Sequence, residues 1–229
     1  MKEHAENGAF GATMANRVAD QLRDDIVSHR IKPGSRITAK EIADKYGVSS
    51  MPVREAFSML CGENLLEMNP YRGATVIAVT PELVGQLNDL QCALESLLIE
   101  LSMKKGYPEE TLQQLEAINA EMAALTRDDW KEKRTPLNMK FHMLAYSPCA
   151  DHMAYQLFAR NLKQLAFIRK YHEVDYERVS QSVWEHSELI QAIRNDDVVS
   201  AVTIVKLHTL NSKRHALTEN FADDTSEQK

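Results

Sequence analysis

Residues 39–56 read AKEIADKYGVSSMPVREA, and this stretch decides the fold. Thr38 precedes it and Glu41 follows three positions later. That is the spacing of a capping box, in which the Thr hydroxyl accepts from an orphan N–H and the Glu carboxylate reaches back. The box opens a short helix through Lys45, and Gly47 can take the left-handed conformation that stops it. Ser49 or Ser50 caps a second helix running to about Gly62, with Pro52 in the first turn, where a missing N–H costs little. Ile42 and Ala43 face inward and Val48 plugs the junction. Ser49, Ser50, Met51 and Arg54 then project from the start of the second helix. A helix N-terminus offers unpaired N–H groups to phosphate. Arg54, one turn in, can reach a guanine edge or a phosphate.

Upstream, Met14 to Arg30 reads as an amphipathic helix, with Val18, Leu22, Ile26 and Val27 on one face, ending before Ile31-Lys32-Pro33-Gly34. Downstream, Leu65–Met68 and Ala74–Val79 read as strands joined by a turn at Asn69–Gly73. The tip carries Tyr71, Arg72 and Gly73, suited to a minor-groove or backbone contact. Helix, helix, turn, helix, hairpin is the order of a winged helix-turn-helix, placed at 13–79 after a short disordered lead at 1–12.

The remainder carries no strand signal. Thr80-Pro81-Glu82 supplies a cap, a proline at the first helical position and an acid in the first turn. Helices are expected near 81–105, 109–126, 128–147, 152–172, 178–194 and 197–218. The third either kinks at Pro136 or begins anew there. The fold class is therefore mainly α: a winged helix-turn-helix with a small β-hairpin, then an antiparallel all-α bundle at 80–219 and a flexible polar tail at 220–229.

Bulk properties narrow the function. The chain has 229 residues, 44% of them hydrophobic, enough for packed cores. No apolar run approaches the ~20 residues that span a bilayer, and the N-terminus lacks the apolar core of a secretory signal. Cys61, Cys92 and Cys149 are scattered, odd in number and without CxxC spacing, which fits a reducing cytoplasm. The net charge is −6, but residues 1–79 hold ten Lys/Arg and ten Asp/Glu. The acidity thus lies in the second part, and the charge balance permits DNA binding by the first.

Three of the eight histidines, His142, His186 and His208, fall on expected helices of the second part. Asn138 precedes His142 by four residues and shares its face. His186 and His208 stand 22 residues apart on the last two helices, which can bring both imidazoles to one depth in a bundle. Imidazole nitrogens with an amide oxygen suit Zn²⁺, Ni²⁺ or Mn²⁺. By spacing alone these histidines can equally be packed or exposed.

PGSRITAKEIADKYGVSSMPVREAF followed by NLLEMNPYRGATV resembles the winged helix-turn-helix of the GntR regulators. LNMKFHML, WEHSELIQAI and AVTIVKLH resemble the FCD domain of the FadR subgroup, and the six helices resemble its shorter VanR-type branch. The resemblance implies a dimer on a palindromic operator, with DNA contacts from Lys40, Ser49, Arg54, Arg72 and Gly73. Ser50 departs from the family, which usually has Arg there, so one base contact is missing. The resemblance also implies a metal, zinc foremost, on His142, His186 and His208, with Asn138 where the family often has Asp. It implies a small-molecule effector, an organic acid or related metabolite, completing the coordination. The family's pocket Arg is replaced here by Gln91, which favours a less charged ligand or leaves the task to Arg160 or Arg169. Glu95 is expected to be structural, and Glu185 to point roughly 100° away from His186 around its helix. Two alternatives stand beside sensing: a metal-dependent hydrolase, and a regulator whose metal is purely structural.

Overall fold

The computed structural model describes residues 13–28, 30–170 and 176–221, so the expected lead at 1–12 and most of the tail lie outside the described residues. The chain divides between Val79 and Thr80 into two compact units.

The first unit begins with α1 (Met14–Val27), capped by the Thr13 hydroxyl and three residues shorter than its pattern suggested. Strand β1 (Arg36–Ile37), α2 (Ala39–Tyr46), α3 (Ser50–Gly62), β2 (Leu66–Asn69) and β3 (Gly73–Val76) follow. The capping box forms in full: Glu41 N donates to the Thr38 hydroxyl at 3.2 Å and Thr38 N to the Glu41 carboxylate at 2.8 Å. Gly47 ends α2 in the left-handed region, at φ 66°. Ser49 is the N-cap of α3, yet its hydroxyl makes no capping bond. Leu22, Ile26, Val53, Ala56, Phe57 and Leu60 form the centre of this unit's core, with α1 packed across α3.

The wing differs from a simple hairpin. Its three strands run in the order β1-β3-β2, both pairs antiparallel, with Arg36 opposite Thr75 and Asn69 opposite Gly73. Two-residue β1 was missed because it is too short to show alternation.

Beneath the wing unit, Asp25 of α1 is buried and gathers Arg30 (2.7 Å), Lys45, Tyr46 (2.9 Å) and Gln21 (3.2 Å). Burial alone would raise its pKa, but these hydrogen bonds more than offset that and hold the carboxyl well below the usual range. The folded pKa is depressed, so the stabilisation is present above the unfolded value of about 4 and fades as pH falls through the folded one. Asp25→Asn is expected to cost about 1.5–3 kcal/mol at neutral pH. In urea titrations of mutant and parent that gap should close towards strong acid. A gap unchanged with pH would contradict the assignment.

The second unit contains α4 (Pro81–Lys105), α5 (Glu109–Ala123), α6 (Trp130–Ala145), α7 (Met153–Lys170), α8 (Tyr176–Arg194) and α9 (Val198–Phe221), with a 3-10 turn at Ser147–Cys149. Thr80 caps α4 through Leu83 N at 3.2 Å, and Gly106 ends it. Helix α6 continues through Pro136 rather than restarting there. Helix α4 packs on α7 and α9, α5 on α6 and α8, and α8 on α9. Leu98, Ile99, Leu115, Phe141, Tyr146 and Phe158 are among the most buried residues of this bundle. No described helix is long and apolar enough to cross a membrane.

Candidate functional site

The start of α3 presents Ser49, Met51 and Arg54 to solvent and leaves Ser50 half-buried; Lys40 of α2 is exposed too. Their exposure follows from the helix period, because Val53, Ala56, Phe57 and Leu60 take the core face. At the wing, Tyr71 is fully exposed at φ 60° and Arg72 is exposed beside it. Arg36 joins them: its Nε donates to the Arg72 carbonyl at 2.8 Å, adding a cation that the sequence reading did not single out. Gly73 has a different role from its neighbours. Its φ is 88°, and a Cβ there would lie 2.2 Å from the Ile37 carbonyl oxygen, so glycine lets β3 approach β1.

In the second unit, His142 (α6), His186 (α8) and His208 (α9) are all buried, and one ligand nitrogen from each lies within 4.8 Å of the others. Each lies on a different helix, and their helices bury other polar residues beside them, Arg134 and Asn138 on α6 and Arg178 and Glu185 on α8. The His186 ring stacks on Phe141, centroids 3.8 Å apart and 11° from parallel. Both His186 nitrogens, His142 Nδ1 and Asn138 Oδ1 lack hydrogen-bond partners among the described residues. Burial first, then neighbouring His208, holds His142 and His186 well below the ordinary imidazole range. Both are thus neutral near pH 7, the state in which imidazole binds a metal. Orphaned buried polar atoms are costly, and three buried imidazoles with one ligand nitrogen each this close together fit a divalent ion.

Charged groups surround this cluster. The Glu185 carboxylate lies 2.6 Å from His208 Nδ1, so Nε2 is the nitrogen left facing the cluster. The sequence expectation that Glu185 points away from the site is corrected here: it turns from His186 but reaches His208 on the adjacent helix. Asn211 donates to it at 2.7 Å, and Arg178 Nη1 forms an ion pair with it at 2.9 Å without hydrogen-bond alignment. Burial pushes the Glu185 pKa up, but His208 and Arg178 bring it down to about 2. Glu95 of α4 lies 3.5 Å from His142 Nδ1 and accepts from Gln91 (2.6 Å) and the Tyr146 hydroxyl (3.1 Å). Burial pushes its pKa up to about 7.

Gln91 is buried and tied to protein partners, donating to Glu95 and accepting from Asn161 at 2.6 Å. Arg160 is exposed on α7, away from the cluster's buried face, whereas Arg169 is half-buried within electrostatic reach of Glu95 and His142. Arg134 and Arg178, both buried and both within reach of the histidines, were not singled out from the sequence. A charged residue on a helix reads by default as solvated, so only tertiary burial reveals them. Met103 and Leu162 are packed in the core, whereas Leu210 is exposed.

Known proteins match both units. Residues 14–76 match the family model of bacterial regulatory proteins of the gntR family, and residues 86–211, more than half of the chain, match the FCD domain. The gluconate operon transcriptional repressor of Bacillus subtilis is 29% identical over 203 residues, covering 86% of this chain and 82% of that one. McbR of Escherichia coli K12, an HTH-type transcriptional regulator, is 24% identical over 79% of this chain and 82% of its own. Among solved structures, E. coli McbR/YncC superposes with a TM-score of 0.66 at 18% identity, over 89% of this chain and 97% of that one. A putative GntR regulator from Rhodococcus sp. RHA1 gives 0.65 at 20%, with the same coverages. These relatives are regulators and not enzymes, which removes the hydrolase alternative. The chain belongs to the GntR family of DNA-binding transcription regulators and carries an FCD domain as its second part.

Proposed function

We propose that this regulator acts in the cytoplasm as a homodimeric, effector-responsive repressor on a palindromic operator, with a divalent metal forming part of its effector site. The observation that carries the sensing half is the buried group of Asn138, His142, His186 and His208 with its unpartnered nitrogens and oxygen. Those four side chains would hold the ion, zinc first and nickel or manganese next by donor type. The bound ion would supply a Lewis-acidic anchor for a carboxylate of the effector. Glu185 keeps His208 in the tautomer that presents Nε2, and Glu185→Gln is expected to weaken metal binding about 10–100-fold. Competition with a chromophoric chelator measures it; unchanged affinity would leave Glu185 with no orienting role.

On DNA, α3 would enter the major groove once per half-site, with Ser49, Ser50, Met51 and Arg54 at its start, Lys40 on α2 beside it, and Tyr71 and Arg72 at the wing. The free hydroxyl of Ser49 and the exposed Arg54 guanidinium support this placement. Arg54→Ala should weaken operator binding by about 1–3 kcal/mol in gel-shift titration at fixed salt. Equal affinity of mutant and parent would remove α3 as the recognition helix. Dimerisation through the second unit is supported by exposed Leu90 and Leu97 on α4 and Met153 and Leu157 on α7, since those two helices pack side by side. By linkage, an effector that loosens DNA must itself bind less tightly to the DNA-bound form.

A further inference from the structure

The interior of the FCD unit holds more positive charge than its described acids neutralise. Arg134 (α6) and Arg178 (α8) are buried, and Arg169 (α7) is half-buried; each lies close enough to repel at least one of the others. Glu185 engages Arg178, and Glu95 is within electrostatic reach of Arg169. Arg134 has no acidic partner among the described residues, and its Nε has no hydrogen-bond partner. Burial, then Arg169 and Arg178, pushes the Arg134 pKa down to about 9, which records how poorly its charge is compensated. A divalent ion on the adjacent histidines would add two more positive charges. Buried unpaired charge is strongly unfavourable, so a fold that keeps it has a use for it.

Resting on the effector-site reading above, we infer that the effector carries two anionic groups: a carboxylate for the metal side of the site, and a second carboxylate or a phosphate held by Arg134 with Arg169. A monocarboxylate would satisfy the metal side and leave Arg134 unpaired. The planar guanidinium fork suits both carboxylate and phosphate, so the shared requirement is a second anion at a distance from the first. Of the two expectations drawn from neutral Gln91, a less charged ligand or another base in its place, this follows the second, with Arg169 joined by Arg134. Gln91 is bound to Glu95 and Asn161, and the cations come from three other helices.

The test is calorimetric titration of the full-length, zinc-loaded protein with butyrate, succinate, glutarate, 3-phosphoglycerate and inorganic phosphate. At least one two-ended acid should bind about 10–100-fold more tightly than butyrate, the worth of one charge-assisted contact. Succinate or glutarate against 3-phosphoglycerate tells whether the second group is carboxylate or phosphate. Arg134→Met should reduce that advantage to about threefold or less without weakening zinc binding, and should raise the melting temperature of the ligand-free protein by removing an unpaired buried charge. Arg134→Lys, keeping charge but losing the fork, should retain an intermediate advantage. Equal binding of butyrate and the two-ended acids overturns the inference while sensing stands, as does inorganic phosphate matching the best acid. Failure of every anion to bind the zinc-loaded protein overturns the effector-site reading itself.

Discussion

His186→Leu is expected to abolish tight metal binding and to reverse the order of stability between mutant and parent depending on whether metal is present. His186 contributes a nitrogen to the cluster, and its ring lies flat on Phe141, a contact that leucine can largely fill. Loss of a coordinating nitrogen should cost more than the roughly 10–100-fold lost when only an outer partner is removed. Without metal, the parent keeps two buried ring nitrogens unpaired, a penalty of about 1–3 kcal/mol that leucine does not incur. With metal at a thousandfold excess over Kd, the parent gains about 4 kcal/mol that the mutant cannot. Thermal melts after chelation should therefore show the mutant at least as stable as the parent, and melts in excess zinc should show it clearly less stable. A mutant that is less stable by the same amount in both conditions would mean the histidine is only a packing residue.

Gly73→Ala should cripple the wing without touching any side chain at its tip. The methyl carbon would sit 2.2 Å from the Ile37 carbonyl oxygen and 3.0 Å from Thr38 Cα, both backbone atoms that cannot swing aside. Positive φ adds about 1–3 kcal/mol of strain for a residue with a side chain. Relief requires β1 to separate from β3, which would also free Arg36 from the Arg72 carbonyl. Operator affinity should fall at least as far as for removal of Arg72 itself, and hydrogen exchange at Ile37 and Thr75 should quicken. Parental affinity with a slowly exchanging wing would show that the backbone tolerates the methyl group and that the close approach is not required.

The DNA-binding unit was legible because its signals are local. The Thr38–Glu41 box, the left-handed Gly47 and Pro52 in the first turn of α3 each act within a few residues, and all three appear where the sequence puts them. The wing's third strand and the reason for Gly73 were not, since both depend on Ile37 meeting β3 from thirty-six residues away. In the second unit the histidine positions could be read from helical spacing together with family resemblance. Their setting could not. Arg134, Arg178 and Glu185 look like ordinary solvated helix charges until neighbouring helices close around them. Gln91 likewise shows its partners, Glu95 and Asn161, only in the folded bundle.

On the proposed reading, this chain recognises a defined operator and releases it in response to a ligand at the metal-containing site. Selection of bound fragments from the source genome by purified protein, with and without prior metal removal, tests it most directly. A short shared palindrome is expected, protected in footprints by the parent, bound less tightly by Arg54→Ala, and released by a two-ended organic acid only when the metal is present. Enrichment of no sequence under either condition, or a palindrome bound equally well by Arg54→Ala, would contradict it.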